Sequence, residues 1–229
     1  MKKSLIGSSW ALLAAAAVLV GGRVGADIVY NNSTNDLFIR FNPGLAEVGD
    51  EIVLAGDSRK ITNFVFQYWA TGLGGGETAQ LRFYANNGTN APGGPSIFVP
   101  QDLLFDSGTF SIANSGRATL VFDATELNNG GIWVPDSFTW SVQFFGTDGA
   151  GEAAGVDLYS PPTIGGNYPD YWDNAGSFDW RLRTITVDST NAPADFGAFI
   201  EAVPEPTAAL LGLFGGLAIL GLRYRRARR

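Results

Sequence analysis

Most of the chain consists of short segments in which apolar and polar residues alternate, and this pattern limits the fold more than any other feature. The clearest is the segment 138–145, in which every second residue is large and apolar. Successive side chains of a β-strand point to opposite faces, so one face of this segment would be buried. Stretches rich in Gly, Asn, Asp and Pro recur about every ten residues and favour turns. The pattern predicts an all-β fold for residues 27–202, a single β-sandwich or jelly-roll domain.

Some strand limits follow from the same pattern. Residues 61–70 are predicted to form one strand, and residues 178–187 another long one. Two strands, 103–105 and 108–112, are predicted on either side of an Asp-Ser pair, because these residue types favour turns.

The sequence contains neither cysteine nor histidine. Without cysteine, the fold must be stabilised by packing rather than by disulfide bonds. Without histidine, Ser-His and Cys-His catalysis are excluded, and so are zinc sites that need either residue. Residues 27–202 include 21 acidic and 7 basic residues, a net charge of −14, compared with −7 for the whole chain. Such an acidic body argues against nucleic acid and anionic lipid surfaces as partners.

Residues 1–26 have the organisation of a secretory signal peptide. Lys2 and Lys3 form a positively charged start, and an apolar stretch follows at residues 10–20. Small or branched residues precede the expected cut, so cleavage between Ala26 and Asp27 is predicted. The sequence therefore predicts export of the protein.

The end of the chain, residues 203–229, contains three parts. It starts with the motif Val203, Pro204, Glu205 and Pro206, continues with an uncharged apolar run at 207–222, and finishes with a basic tail at 223–229. The arginines of that tail are Arg223, Arg225, Arg226, Arg228 and Arg229. As a helix the apolar run would be about 24 Å long, which suits a thin membrane or a crossing lengthened by its flanks. The pattern predicts a single transmembrane helix with a cytoplasmic arginine anchor.

This arrangement resembles the PEP-CTERM sorting signal of exported bacterial proteins. The resemblance rests on the Val-Pro-Glu-Pro motif, the glycine-rich apolar run and the terminal arginine cluster. It implies that exosortase, a membrane-embedded transpeptidase-like enzyme, reads the motif and removes the helix. The protein would first be an inner-membrane intermediate, and would then pass to the cell surface or to the extracellular polysaccharide of the biofilm matrix. The alternative is an ordinary C-terminal membrane anchor with incidental prolines.

A second resemblance covers about residues 52–187 and concerns exported domains of the choice-of-anchor type, which lie upstream of interchangeable anchoring signals. It rests on the strand and turn patterns of residues 61–64, 79–86, 105–108, 138–145 and 159–162. It implies an exported β-domain and brings no catalytic residues.

An aromatic and acidic stretch at residues 168–176 is the candidate binding site. Its members are Tyr168, Asp170, Tyr171, Trp172 and Asp173. Aromatic rings stack on sugar rings and carboxylates accept hydrogen bonds from hydroxyl groups, so this combination suits a polysaccharide. The stretch is predicted to be a loop in which either the Tyr171 or the Trp172 ring faces solvent, since neighbours on a strand point to opposite faces. The alternative is that these rings cap the end of the core.

No cofactor is predicted, and calcium is the only metal that the residues suggest. Asp148 and Glu152 in a glycine-rich loop are weak calcium candidates, as are Asp170 and Asp173. Neither pair matches an EF-hand loop, and the alternative is that they are solvated loop acids.

The sequence favours a non-catalytic component or binder of the extracellular polysaccharide matrix. One alternative is a secreted carbohydrate-active enzyme with two carboxylates about 5 to 10 Å apart in a cleft, which would need no histidine. Another is a plain membrane-anchored structural β-protein. An exposed aromatic platform would favour binding, whereas paired carboxylates in a cleft would favour the enzyme.

Overall fold

The computed structural model describes residues 25–89, 98–174, 176, 179–185 and 193–204. In these ranges all regular structure is β-strand, so the predicted all-β class is confirmed for this part of the chain. No helix in the described ranges has the length and apolar character needed to cross a membrane. The predicted signal peptide up to residue 24 and the apolar run 207–222 lie outside these ranges.

The strands follow one another closely along the chain. They are β1 (Asp27–Asn32), β2 (Asp36–Phe41), β3 (Glu47–Val53), β4 (Lys60–Thr71), β5 (Thr78–Asn86), β6 (Pro100–Ser111), β7 (Ser115–Asp123), β8 (Ile132–Trp133), β9 (Ser137–Phe145), β10 (Ala153–Tyr159), β11 (Gly166–Asn167), β12 (Tyr171–Asn174), β13 (Trp180–Arg183) and β14 (Ala198–Val203).

These strands form two antiparallel sheets. Sheet A has the order β1-β14-β4-β10-β2, with β7 and β8 also paired to β4. Sheet B has the order β13-β12-β3-β9-β5-β6, with β11 also paired to β3. The strand order departs from the sequence order in both sheets, so each sheet collects segments that are distant along the chain.

The two sheets share one apolar core, which gives the fold its sandwich-like form. The inward residues of β9, including Trp140, are fully buried, as the alternation of this segment predicts. The Trp140 ring of sheet B lies 5.3 Å from the Phe64 ring and 5.6 Å from the Phe66 ring of sheet A. These edge and tilted arrangements are favourable for aromatic rings, and they connect the sheets through large side chains.

Residues 61–70 are also confirmed as one strand, which belongs to β4, although the first of them departs from the alternation. Ile61 would face away from the core by strict alternation, yet it is fully buried. The register between β4 and β14 shifts at this point, between the partners of Ile61 and Asn63. A β-bulge re-aims a side chain in this way.

Residues 103–111 belong to one strand, β6, rather than to two, and residue 112 lies outside it. β6 continues through the Asp-Ser pair, where its register against β5 shifts. Gly108 has a φ of 64° and donates its N–H to the Asp106 carboxylate at 2.7 Å. The predicted division was wrong because a bulge and a turn use the same residue types.

The strand predicted over 178–187 is shorter than expected. β13 contains four residues, Trp180–Arg183. Asp179, Thr184 and Ile185 are described and lie outside the strand. The other predicted positions are outside the described residues.

Candidate functional site

The aromatic and acidic stretch is a strand over four of its residues. β12 (Tyr171–Asn174) pairs with β3 on one side and with β13 on the other. The prediction of a loop is therefore wrong for these positions. It failed because β12 is only four residues long and one of the two strands that hold it, β3, is distant in the sequence.

Tyr171 and Trp172 point to opposite faces of sheet B, and both are packed. The half-buried Tyr171 ring lies 5.0 Å from the Phe41 ring at the core between the sheets. Trp172 is fully buried on the other face, in a second apolar cluster with Tyr84 and Trp180. The prediction of an exposed ring is wrong for Trp172, because this second cluster covers the outer face at β12, whereas Tyr171 is partly exposed. Trp172 is not available for stacking on a sugar.

A cleft of about 370 Å³ lies at one end of sheet B, and it is named here the Tyr168 cleft. Its lining residues are Glu51, Asn86, Phe98, Ser137, Tyr168, Asp170 and Leu182. Tyr168 is 49% exposed and Phe98 56% exposed, so two aromatic rings are accessible. Of the predicted site residues, Tyr168 and Asp170 line the cleft, whereas Asp173 is paired with Arg183, with 3.5 Å between its carboxylate and the guanidinium.

Hydrogen bonds between side chains of neighbouring strands fix the polar groups that line the cleft. Ser137 Oγ donates to Glu51 Oε1 at 3.0 Å across the β3–β9 pair. Thr139 Oγ1 donates to Asn86 Oδ1 at 2.8 Å across the β5–β9 pair. Because β9 lies between β3 and β5, these bonds fix a carboxylate and an amide at defined places beside the cleft. Groups held in this way are suited to recognise hydroxyl groups.

Two carboxylates, Glu51 and Asp170, line the same cleft. Burial, and then the charge of Glu51, raise the pKa of Asp170. A carboxyl group with a raised pKa beside a second carboxylate is one requirement for acid–base hydrolysis of a glycoside. The cleft therefore combines accessible aromatic rings, an amide and two carboxyl groups.

A second depression on sheet B is built around Glu47 and serves the fold. The Glu47 carboxylate accepts hydrogen bonds from Ser141 Oγ at 2.6 Å and from the Tyr84 hydroxyl at 3.1 Å. Its other oxygen lies 3.1 Å from the Arg82 guanidinium. Burial, and then the charge of Glu47, raise the pKa of Tyr84. With its oxygens engaged by protein groups, Glu47 has little capacity left for a ligand.

In the glycine-rich loop proposed for calcium, the Glu152 carboxylate is hydrogen-bonded within the loop itself. Glu152 Oε2 accepts a hydrogen bond from the Gly149 N–H at 3.1 Å, which closes the loop, while Asp148 is exposed. Across the described ranges, no three acidic side chains come together in a way that could hold a metal ion. Calcium binding by Asp148 and Glu152 stays a prediction.

The predicted processing sites flank the first and last strands. Ala26 is exposed and Asp27 begins β1, while Val203 ends β14 and Pro204 follows it. Glu205, Pro206 and the arginine tail are outside the described residues.

Comparison of the chain with protein-family models, with curated proteins and with solved structures found no match.

Sequence reasoning missed Glu51, Asn86, Phe98 and Ser137 as cleft residues. The three polar residues come from β3, β5 and β9, which are neighbours in the sheet but not in the sequence. A signal was present in β3 and β5, where polar residues occupy the positions that alternate with the buried ones. Pairing of the strands was needed to bring those positions together.

Proposed function

We propose that the protein is exported and sorted to the cell surface, and that its β-domain binds an extracellular polysaccharide without catalysing a reaction. The sorting proposal rests on the order of motif, apolar run and arginine tail in residues 203–229. The positions of the first and last strands support it: β1 begins at Asp27, β14 ends at Val203, and Asp27 pairs with Ala202. Cleavage between Ala26 and Asp27 would therefore leave β1 complete, and cleavage after Val203 would leave β14 complete.

In this proposal exosortase is a transient partner, and the membrane is contacted through the helix at 207–222 before processing. The surface or the polysaccharide matrix is the final location. Glu205→Ala should retain the protein in the inner membrane, because it removes the only charged residue of the motif. Asp57→Asn, at an exposed position of the body, is the matched control. If wild-type protein also stays in the membrane, the plain anchor is the better explanation.

The binding proposal rests on one observation, the pair of accessible rings of Tyr168 and Phe98 beside fixed polar groups in the Tyr168 cleft. Aromatic faces provide apolar contact with the C–H face of a sugar. The Glu51 carboxylate and the Asn86 amide are placed to bond hydroxyl groups. The cleft volume of about 370 Å³ lies within the range of small-ligand sites, so it would hold a short segment of a polymer.

Binding can be tested by pull-down and calorimetry of the full chain with purified extracellular polysaccharides. Tyr168→Ala and Phe98→Ala should each weaken binding about fivefold, since an aromatic contact contributes about 1 kcal/mol. Trp133→Ala removes a 44% exposed ring on sheet A and should leave binding unchanged. Equal binding by all the variants would exclude the Tyr168 cleft as the site.

A carbohydrate-active enzyme is the second candidate, and the shared cleft position of Glu51 and Asp170 favours it. The raised pKa of Asp170 suits a general acid, and Glu51 would then be the nucleophile or base. Release of reducing ends from polysaccharides by the wild-type chain, lost in both Glu51→Gln and Asp170→Asn, would establish this candidate. Binding without release by the wild-type chain would leave the non-catalytic proposal in place.

A further inference from the structure

Three side chains at the backbone of Phe196 leave buried oxygens without a hydrogen-bond partner. These oxygens are Asn32 Oδ1, Asp50 Oδ1 and Asp195 Oδ1. The Phe196 N–H donates to Asp50 Oδ2 at 2.9 Å, and the Phe196 carbonyl accepts from Asn32 Nδ2 at 3.3 Å. Asp195 directly precedes Phe196. Residues from β1, β3 and the segment before β14 therefore converge on one short piece of backbone.

Tyr30 and Asn167 lie against the same cluster. Asn167 Nδ2 donates to the fully buried Tyr30 hydroxyl at 3.3 Å. Burial, and then the charges of Asp50 and Asp195, raise the pKa of Tyr30. The Tyr30 hydroxyl is thus within electrostatic range of both carboxylates.

The two carboxylates are buried without a basic partner. Asp50 is 0% exposed and Asp195 3% exposed. In the part of the chain that the structure describes, no ion pair joins either of them to an arginine or lysine. A buried ionised carboxylate without counter-charge is strongly disfavoured. Hydrogen bonds from the Phe196 N–H, Asn167 and Ser160 offset part of this cost, and protons or a cation would offset the rest.

Asp50 occupies a position of β3 that faces the core. Val48, Asp50 and Ile52 alternate along the strand, and all three are buried in the core. A position on that face would ordinarily hold an apolar side chain. An aspartate there points to a role that an apolar residue cannot provide.

We propose that Asp50 and Asp195, with the amide oxygen of Asn32, bind a calcium ion. Calcium takes about six to eight oxygen ligands from carboxylates, amides, backbone carbonyls and water. The three unpartnered oxygens are of these types, and a divalent ion balances two carboxylate charges. Water or backbone carbonyls would complete the shell. The ion would connect β1 of sheet A with β3 of sheet B and so tie the two sheets together.

Protonation of Asp50 and Asp195 is the alternative to calcium binding. The two differ in how the stability of the folded protein depends on pH. The titratable groups that face the pair are Tyr30 and Asp170. Burial raises the pKa of Asp195 to about 6 and raises that of Asp50 above its ordinary value. The metal-free folded state then keeps protons that the unfolded chain has lost, so its stability falls as the pH rises above about 4, and the part due to Asp195 is lost by about pH 6. Calcium requires ionised carboxylates, so calcium-dependent stabilisation grows with pH over the same interval.

The test measures the melting temperature of the full chain at pH 7.5 with calcium, with magnesium and with EDTA. Calcium should raise the melting temperature by about 5 °C or more over EDTA. Magnesium should have a much smaller effect, because it favours regular octahedral sites and keeps its water. Calorimetry should give one ion per chain. No calcium effect on the melting temperature at pH 7.5 would overturn the proposal.

Two sets of variants locate the ion. Asp50→Asn and Asp195→Asn should abolish the calcium shift while leaving stability in EDTA unchanged or higher, because each removes a buried charge. Asp148→Asn and Glu152→Gln test the other calcium candidate, the glycine-rich loop, and should keep the full shift, as should the exposed control Asp57→Asn. Loss of the shift in the loop variants, with its retention in Asp50→Asn and Asp195→Asn, would contradict the proposed site.

Discussion

Replacing Trp140 should test directly whether the two sheets share one core. Trp140 of sheet B is fully buried and contacts the Phe64 and Phe66 rings of sheet A. A tryptophan buries about 150–250 Å², which at about 25 cal/mol per Å² corresponds to about 4–6 kcal/mol before the retained Cβ is counted. Large aromatic-to-alanine changes in cores measure about 3–5 kcal/mol, and we expect Trp140→Ala to lower the free energy of unfolding by that amount.

Urea unfolding of the full chain, followed by circular dichroism, measures this change as a lower midpoint with an unchanged slope. Trp140→Phe should lower stability much less, because the ring is kept and the buried indole N–H has no hydrogen-bond partner to lose. Trp133→Ala, at a 44% exposed ring, should change stability by about 1 kcal/mol or less. Wild-type stability in Trp140→Ala would refute the shared core.

Two further predictions concern charged side chains. Glu47→Gln should lower the free energy of unfolding by about 2–3 kcal/mol, because it removes the ion pair with Arg82. The loss is smaller than the about 3–5 kcal/mol expected for a charge left without any partner, because the Arg82 guanidinium still lies 3.3 Å from the Asp106 carboxylate. Unchanged unfolding in urea would contradict this prediction. Although burial opposes it, the hydrogen bond from Arg117 lowers the pKa of Asp36, so this carboxylate stabilises the fold above about pH 4 and the stabilisation is lost as the pH falls through its lowered pKa. Asp36→Asn should therefore reduce the acid-dependent loss of stability, and an identical pH profile for variant and wild type would argue against it.

The core strands could be predicted from the sequence because their pattern is local. Residues 61–70 and 138–145 alternate with large aromatic side chains, and both are strands whose inward residues lie in the core. Strand pairing could not be predicted, since β12 pairs with β3, which lies more than 100 residues earlier in the chain.

The candidate site was predicted only in part for the same reason. Tyr168 and Asp170 were identified by residue type, and they line the cleft. Trp172 is also of a residue type that stacks on sugars, but Tyr84 and Trp180 cover its ring. Burial on the outer face of a sheet depends on tertiary packing, which period-two alternation does not specify.

Mass spectrometry of both ends of protein recovered from the bacterial surface tests the proposed export and sorting most directly. The account predicts a mature chain that begins at or near Asp27 and ends close to the motif of Pro204, Glu205 and Pro206. The arginine tail at 223–229 should be absent from the released protein. Surface-released protein that still carries this tail would contradict sorting and leave the plain membrane anchor.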